Sequence, residues 1–198
     1  MDNISYEIIP ENAIELRTRL NDRATQEQMI EIYGEPFDDF LQSHGYGKIF
    51  DYETRIDENN EVEFHVIKFY CYKTHIYGNA IENIMEYLEK LGAPQGSKFD
   101  VPMIKSTLKL GIKEGIGIYI DNKNLSKEVY ESTDINYVYE KIRELIKDES
   151  NHERSLVMAE ETALYFYSYM NYKKMTENIQ EFMDSYSLCK DARIVKIA

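Results

Sequence analysis

Two stretches decide the fold. Phe69-Tyr70-Cys71-Tyr72 is followed by Glu82-Asn83-Ile84-Met85-Glu86-Tyr87-Leu88-Glu89, and the same order returns as Phe166-Tyr167-Ser168-Tyr169 followed by Glu177-Asn178-Ile179-Gln180-Glu181-Phe182-Met183-Asp184. The two spacings differ by only two residues. An echo of this kind is read before any single element, because a missed repeat mis-assigns the whole chain. In each copy an aromatic-rich extended run leads into an amphipathic helix, and a short final strand follows, over 97–101 and 192–197. The helices show in the apolar steps Ile81, Ile84, Met85, Leu88, Leu91 and Met175, Ile179, Phe182, Met183, Tyr186, which recur at three and four residues. Gly92 suits the left-handed position after a helix, and Pro94 prevents continuation.

Working outward, residues 14–20 place Ile14, Leu16, Thr18 and Leu20 on one side and Glu15, Arg17 and Arg19 on the other, the two-residue period of a half-buried strand. A helix is expected from about Thr25. Met29, Ile32, Tyr33, Phe37, Phe40 and Leu41 line one side of it, and Gly34 and Pro36 are expected to split it in two, with Pro36 in a first turn. Residues 48–57 and 61–72 then read as a hairpin around Glu58-Asn59-Asn60. In the second half, residues 115–121 read as a strand. Asp134 can cap a helix whose buried side is Val138, Ile142, Leu145 and Ile146, and 155–158 with 162–169 form another antiparallel pair.

Each half therefore reads β, α, β, β, α, β. The expected fold class is α+β: a tandem duplication of a ferredoxin-like βαββαβ unit, with antiparallel sheets covered by helices on one face. The expected halves are 1–104, which is acidic, and 105–198, joined between about Pro102 and Lys113 in one compact pseudo-symmetric domain. On this reading the aromatic runs serve burial, not cofactor binding.

The 198 residues are 43% apolar, enough to fill a core. Thirty-six acidic side chains against 23 basic ones give a net charge of −13, which opposes contact with nucleic-acid phosphates and with anionic membranes. The start, Met1-Asp2-Asn3-Ile4-Ser5, lacks the basic and apolar regions of a secretory signal, so a cytoplasmic location is expected. Cys71 and Cys189 form no CxxC pair and are expected as free thiols, Cys71 buried in its strand and Cys189 in a loop where it could react.

Chemical motifs are sparse. Gly111, Gly115 and Gly117 match neither GxGxxG nor GxxxxGK, and a strand follows them where a phosphate site needs a helix. Asp57, Asn59 and Glu61 begin like a calcium loop, but Val62 replaces its sharp-turn glycine and Lys68 its closing glutamate. His44, His65, His75 and His152 have no metal-ligand spacing and are expected on the surface or in turns. No catalytic residue, metal site or cofactor is assigned, and the chain is expected not to be an enzyme.

The charge is lopsided. Residues 1–64 hold 16 acidic and five basic groups, whereas the remaining 134 hold 20 and 18. A one-sided anionic patch steers a cationic partner. The candidate docking residues are Glu27, Glu31, Glu35, Asp38 and Asp39 in the first helical region, Asp57, Glu58 and Glu61 in the hairpin, and the aromatics Tyr33 and Tyr52, with Tyr46 beside them. The expected function is a non-catalytic acidic inhibitor of a basic protein, most concretely an immunity protein that neutralises a nuclease-like toxin domain of an interbacterial system. The alternative is a regulatory small-molecule-binding module with a ligand site between the two halves.

Overall fold

A computed structural model describes residues 9–76, 78–147, 152–158 and 160–198. The chain forms two compact units, Met1–Gly111 and Ile112–Ala198.

In the first unit, β1 (Ala13–Leu20) buries Ile14, Leu16, Thr18 and Leu20, the side its alternation selected. The chain then enters α1 (Gln26–Met29) through a reciprocal cap. Thr25 Oγ1 accepts from the Gln28 amide (3.2 Å), and Gln28 Oε1 accepts from the Thr25 amide (3.0 Å). The helix does not break at Gly34 and Pro36. It widens into a π turn over Ile30–Gly34 and continues as α2 (Glu35–Ser43), with the Glu35 amide bonding back five residues to Ile30 O. Pro36 supplies the reason, since it has no N–H and its ring clashes with the carbonyl four residues back, that of Ile32. The buried stripe Met29, Tyr33, Phe37, Leu41 explains why the widening suits the core. A regular α-helix would rotate that four-residue spacing about 120° off line between Met29 and Leu41, and the one extra residue of a π turn removes most of the error.

The remaining elements are β2 (Gly47–Ile56), β3 (Val62–Tyr72), the short α3 (Lys73–Ile76), α4 (Ala80–Lys90), β4 (Ser97–Val101) and β5 (Ser106–Leu110). The sheet order is β2-β3-β1-β4-β5, antiparallel throughout. The first four strands in that order are the ferredoxin-like arrangement, and β5 is an added edge strand in the stretch read as the join. A bulge in β2 between Ile49 and Asp51 changes the ladder there, and Asp38 Oδ1 accepts from the Ile49 amide (2.8 Å), tying α2 to the edge strand. The helices and one sheet face share a core in which Phe69 meets Phe37 edge-on at 5.0 Å and Phe99 at 5.9 Å.

The second unit holds β6 (Glu114–Asp121), α5 (Lys127–Ser132), α6 (Ile135–Ile146), β7 (His152–Val157), β8 (Glu161–Ser168), α7 (Tyr172–Ser185) and β9 (Arg193–Lys196). Its order, β7-β8-β6-β9, is again ferredoxin-like and antiparallel. The Asp134 side chain caps α6 by accepting from the Asn136 amide (2.8 Å), as its position anticipated. Ile116, Ile118 and Ile120 meet Val138, Ile142, Ile146 and Ile179 on the helical face, while Tyr119, Tyr165 and Tyr167 on the other face are buried as well. The duplicated α+β fold is thus present, and the aromatic runs are core: Phe69, Tyr165, Phe166 and Tyr167 are fully buried. No helix among the described residues is long and apolar enough to cross a membrane.

Two expectations need correction. Cys189 is not a reactive loop thiol. It is buried in the 3-10 turn Ser187–Cys189, and burial pushes its pKa up to about 11, as it does for Cys71. His65 is not a surface residue either. It is fully buried, its Nε2 lies 3.0 Å from Ala24 O and donates to it, and Nδ1 lies 3.0 Å from Thr54 Oγ1. The imidazole joins the approach to α1 to both strands of the hairpin.

Candidate functional site

The acidic residues of the first unit separate into two groups once their partners are known. In the hairpin the charge is largely consumed. Asp57 Oδ1 accepts from the amides of Asn59 (2.8 Å) and Glu61 (2.9 Å), which holds the turn. Glu61 is buried against Arg23, at 4.0 Å, and Glu63 meets Arg55 at 3.6 Å. Lys68 receives both Asp51 (2.8 Å) and Glu53. Glu58 remains exposed at the turn.

The helical acids behave differently. Glu27, Glu31, Glu35 and Asp39 are all exposed and make no ion pair among the described residues, while Asp38 is held inward by its bond to Ile49. Their spacing of four residues matches that of the buried stripe, so the π turn that aligns the core also keeps these carboxylates in line on the opposite side. The helix starts at the hairpin-turn end, where Thr54 Oγ1 approaches Gln26 Oε1 at 3.5 Å, and finishes where Asp38 reaches Ile49 at the far end of β2. Glu27 is the helical acid at that hairpin end. The other helical acids lead away from the turn.

Tyr33 is no docking aromatic. It is fully buried, and its hydroxyl donates to Asp22 Oδ2 at 2.7 Å. Tyr52 is half-buried and lies against Gly34, where a Cβ would meet its hydroxyl at 2.9 Å. Burial first, then the Asp38 and Glu35 carboxylates, raise its phenol above the usual range.

Glu35 and Asp39 border a groove of about 570 Å³ between α2 and α4, completed by Pro36, Phe40, Ser43 and Tyr87. Phe40 and Tyr87 stack at 4.1 Å with only 9° between their planes. The Tyr87 hydroxyl donates to Pro36 O (3.2 Å), and Ser43 Oγ donates to Phe40 O (3.1 Å). Ser43 Oγ also lies 3.2 Å from His44 Nδ1, and the His44 ring lies 4.3 Å from Phe40, so the groove offers carboxylate and hydroxyl oxygens beside a ring already covered by His44 and Tyr87. Chemically it can hold a cation.

Sequence reasoning named Glu35 and Asp39 but missed Tyr87. Tyr87 stands three residues after Ile84 and four before Leu91, at the edge of the apolar side of α4, so it reads as core, and its ring does pack partly buried against that core. Its counterpart in the repeat, Phe182, packs on Tyr137 at 6.0 Å, but Lys141, salt-bridged to Glu144 at 2.8 Å, is the charged neighbour of Tyr137 there. The ring contact differs as well, edge-on at 71° in the second unit and stacked at 9° in the first.

Two further clefts lie in the second unit. One, of about 340 Å³, contains Asn122, Tyr130 and Thr162, but Thr162 donates to Asn122 (3.1 Å) and Tyr130 to Asp121 (3.2 Å). The other, of about 380 Å³, is lined by Tyr186 and the protonated Cys189. Among the described residues no three His, Cys, Asp or Glu side chains gather in a way that could hold a metal ion.

No protein-family model matches the chain, and no curated protein sequence matches it. Among solved structures, one described as "Crystal structure of putative glycine cleavage system transcriptional repressor" is similar over 93% of this chain and 95% of its own, at 8% identity and a TM-score of 0.26. At that TM-score the likeness carries no argument, and the ferredoxin-like assignment rests on the strand orders above.

Proposed function

We propose that this chain is a regulatory binding module, not a catalyst, and that its first unit takes a small cationic ligand in the α2/α4 groove. The fold by itself hosts many unrelated functions. The observation that supports the reading is the juxtaposition of Glu35 and Asp39, exposed and without an ion pair among the described residues, with the stacked rings of Phe40 and Tyr87. A cation over an exposed aromatic face gains about 0.5–1 kcal/mol, and each exposed ion pair adds about 0.2–1 kcal/mol. These contributions are small and total about 1–3 kcal/mol, so a single small cation should bind only at roughly ten to a few hundred millimolar.

The test is a titration of the isotope-labelled protein with small organic cations, followed at the backbone amides of residues 35–43. Saturable shifts that weaken with salt and vanish in the Glu35→Gln/Asp39→Asn double variant are expected. A titration that stays flat with every cation up to roughly half molar would overturn the reading.

A second reading has its own supporting observation. Glu27 and Glu31 continue the line of Glu35 and Asp39 along about 18 Å of helix, further than a small ligand reaches, which favours a basic macromolecule. The finer form of this reading, an immunity protein against a basic toxin, draws on charge alone, and the hairpin's share of that charge is largely paired within its own unit.

A further inference from the structure

We infer that the hairpin formed by β4 and β5 docks on an anionic lipid surface, its apolar tip entering the bilayer and a set of unpaired cations facing the headgroups. The inference is independent of the groove between α2 and α4. The first observation is the tip. Met103 and Ile104 are neighbours in the 3-10 turn Pro102–Ile104 and are 54% and 63% exposed. Single apolar residues on a surface are ordinary, but two large ones side by side at the end of a hairpin call for an apolar surrounding. Lys105 closes this turn in the left-handed region, at φ 50°. Glycine would hold that conformation without steric cost, so the position keeps a positive charge despite local strain.

The second observation is charge. Residues 97–110 hold Lys98, Lys105 and Lys109 against one acid, Asp100, in a chain whose net charge is −13. All three lysines are exposed and make no ion pair among the described residues. The register puts Arg19 of β1 opposite Lys98, and Lys98 opposite Lys109, so three cations stand in one line on the sheet face away from the helices. Arg19 lies over the Phe64 ring at 3.9 Å, which braces it in that line. Like charges directly opposite one another destabilise a sheet, and an anionic surface removes that cost. Lysines on an edge strand also discourage edge-to-edge pairing. That role accounts for Lys109 but not for Lys98 or Arg19, which belong to inner strands. An acidic protein would match the cations and leave the tip without a purpose, whereas an anionic bilayer suits both.

The third observation is placement. β5 is the edge opposite β2, four strand spacings or about 19 Å away. The tip lies at the end of the sheet where β1 begins, and the acidic turn at Glu58 lies where β1 finishes. That separation exceeds the Debye length of about 8 Å at physiological salt. The exposed acids of α1, α2 and α4, Glu82 and Glu86 among them, belong to the helical face. The net charge of the whole chain is therefore largely screened from the hairpin. Val157, 76% exposed at the end of β7, supplies a contrast, because the turn after it carries Glu160 and Glu161 in place of lysines.

The test uses the intact chain with vesicles of phosphatidylcholine alone or with about 30% phosphatidylserine, the anionic class that basic segments meet. The chain has no tryptophan, so Met103→Trp places a single reporter in the tip. Expected are co-sedimentation with the anionic vesicles only, weakening as salt rises, and a blue shift of the tryptophan emission on binding. Lys98→Gln/Lys109→Gln should lower the affinity about 25-fold, fivefold per lysine, and Ile104→Ser at least about tenfold. Val157→Ser should leave it unchanged. Lys98, Lys109 and Ile104 are exposed, so these variants should keep the thermal midpoint of the unaltered protein. No sedimentation with the anionic vesicles even at low ionic strength would overturn the inference. So would binding that Ile104→Ser leaves unchanged and that shifts no emission, since the tip would then stay outside the bilayer. Binding to soluble polyglutamate as tight as to the vesicles would overturn it too, assigning the cations to an acidic protein.

Discussion

Gly34 shows how one missing side chain sets a local structure. It is buried in the π turn with ordinary helical angles, so nothing in its backbone demands glycine; the demand comes from Tyr52, whose ring would lie 3.0 Å from an added Cβ. Gly34→Ala should therefore cost about 1–3 kcal/mol through overpacking. In a Tyr52→Ala background the same change should become neutral or stabilising by up to about 1 kcal/mol, the usual helical gain of alanine over glycine. A double-mutant cycle by urea denaturation measures this, and identical effects in the two backgrounds would show that Tyr52 is not the cause. Residue-scale roles were also the hardest to read in advance. Glu61 was legible as a charge, but its partner Arg23 lies 38 positions earlier and meets it only because β1 and β3 pair. Tyr33 sat on the apolar stripe and was still assigned to the surface, since no local pattern announces Asp22 as a buried acceptor.

At the scale of elements, periodicity carried most of the information. The helices α4 and α7, the hairpin and the exit at Gly92 and Pro94 followed from spacing and turn chemistry, because each is settled within a few residues of chain. The edge strand β5 escaped, being five residues of mild alternation whose pairing with β4 is its main support. Turns between elements can be equally specific. Asp121, at the end of β6, accepts from the Lys123 and Asn124 amides, the Asn124 side chain and Tyr130, and these bonds lower its pKa from 3.8 to about 2. Because the folded value lies below the ordinary one, the associated stability is fully present above pH 3.8 and is lost as the pH falls towards about 2. The denaturation midpoint of the unaltered protein should accordingly drop more across that window than that of Asp121→Asn. Parallel acid profiles for the two proteins would rule the turn out as a contributor.

For the whole molecule, a charge of −13 is a poor guide until its partners are known. The hairpin acids are mostly engaged and the helical ones are not, a distinction composition cannot make. If a basic protein partner exists, converting Glu27, Glu31, Glu35 and Asp39 together to Lys should slow association roughly ten- to a thousandfold at low salt. Asp38 is left out because its bond to Ile49 makes it structural. Stopped-flow mixing with the partner decides the matter, and an unaltered on-rate would dispose of the macromolecular reading. The two units resemble each other most plainly around α4 and α7, and the segment ahead of α4 in the first unit carries the π turn. Its extra residue puts everything after Gly34 one place out of phase with an ordinary helix. A comparison of this segment with any homologue that lacks the widening must open a one-residue gap within residues 30–34, or it will match core positions to solvent positions for the rest of α2.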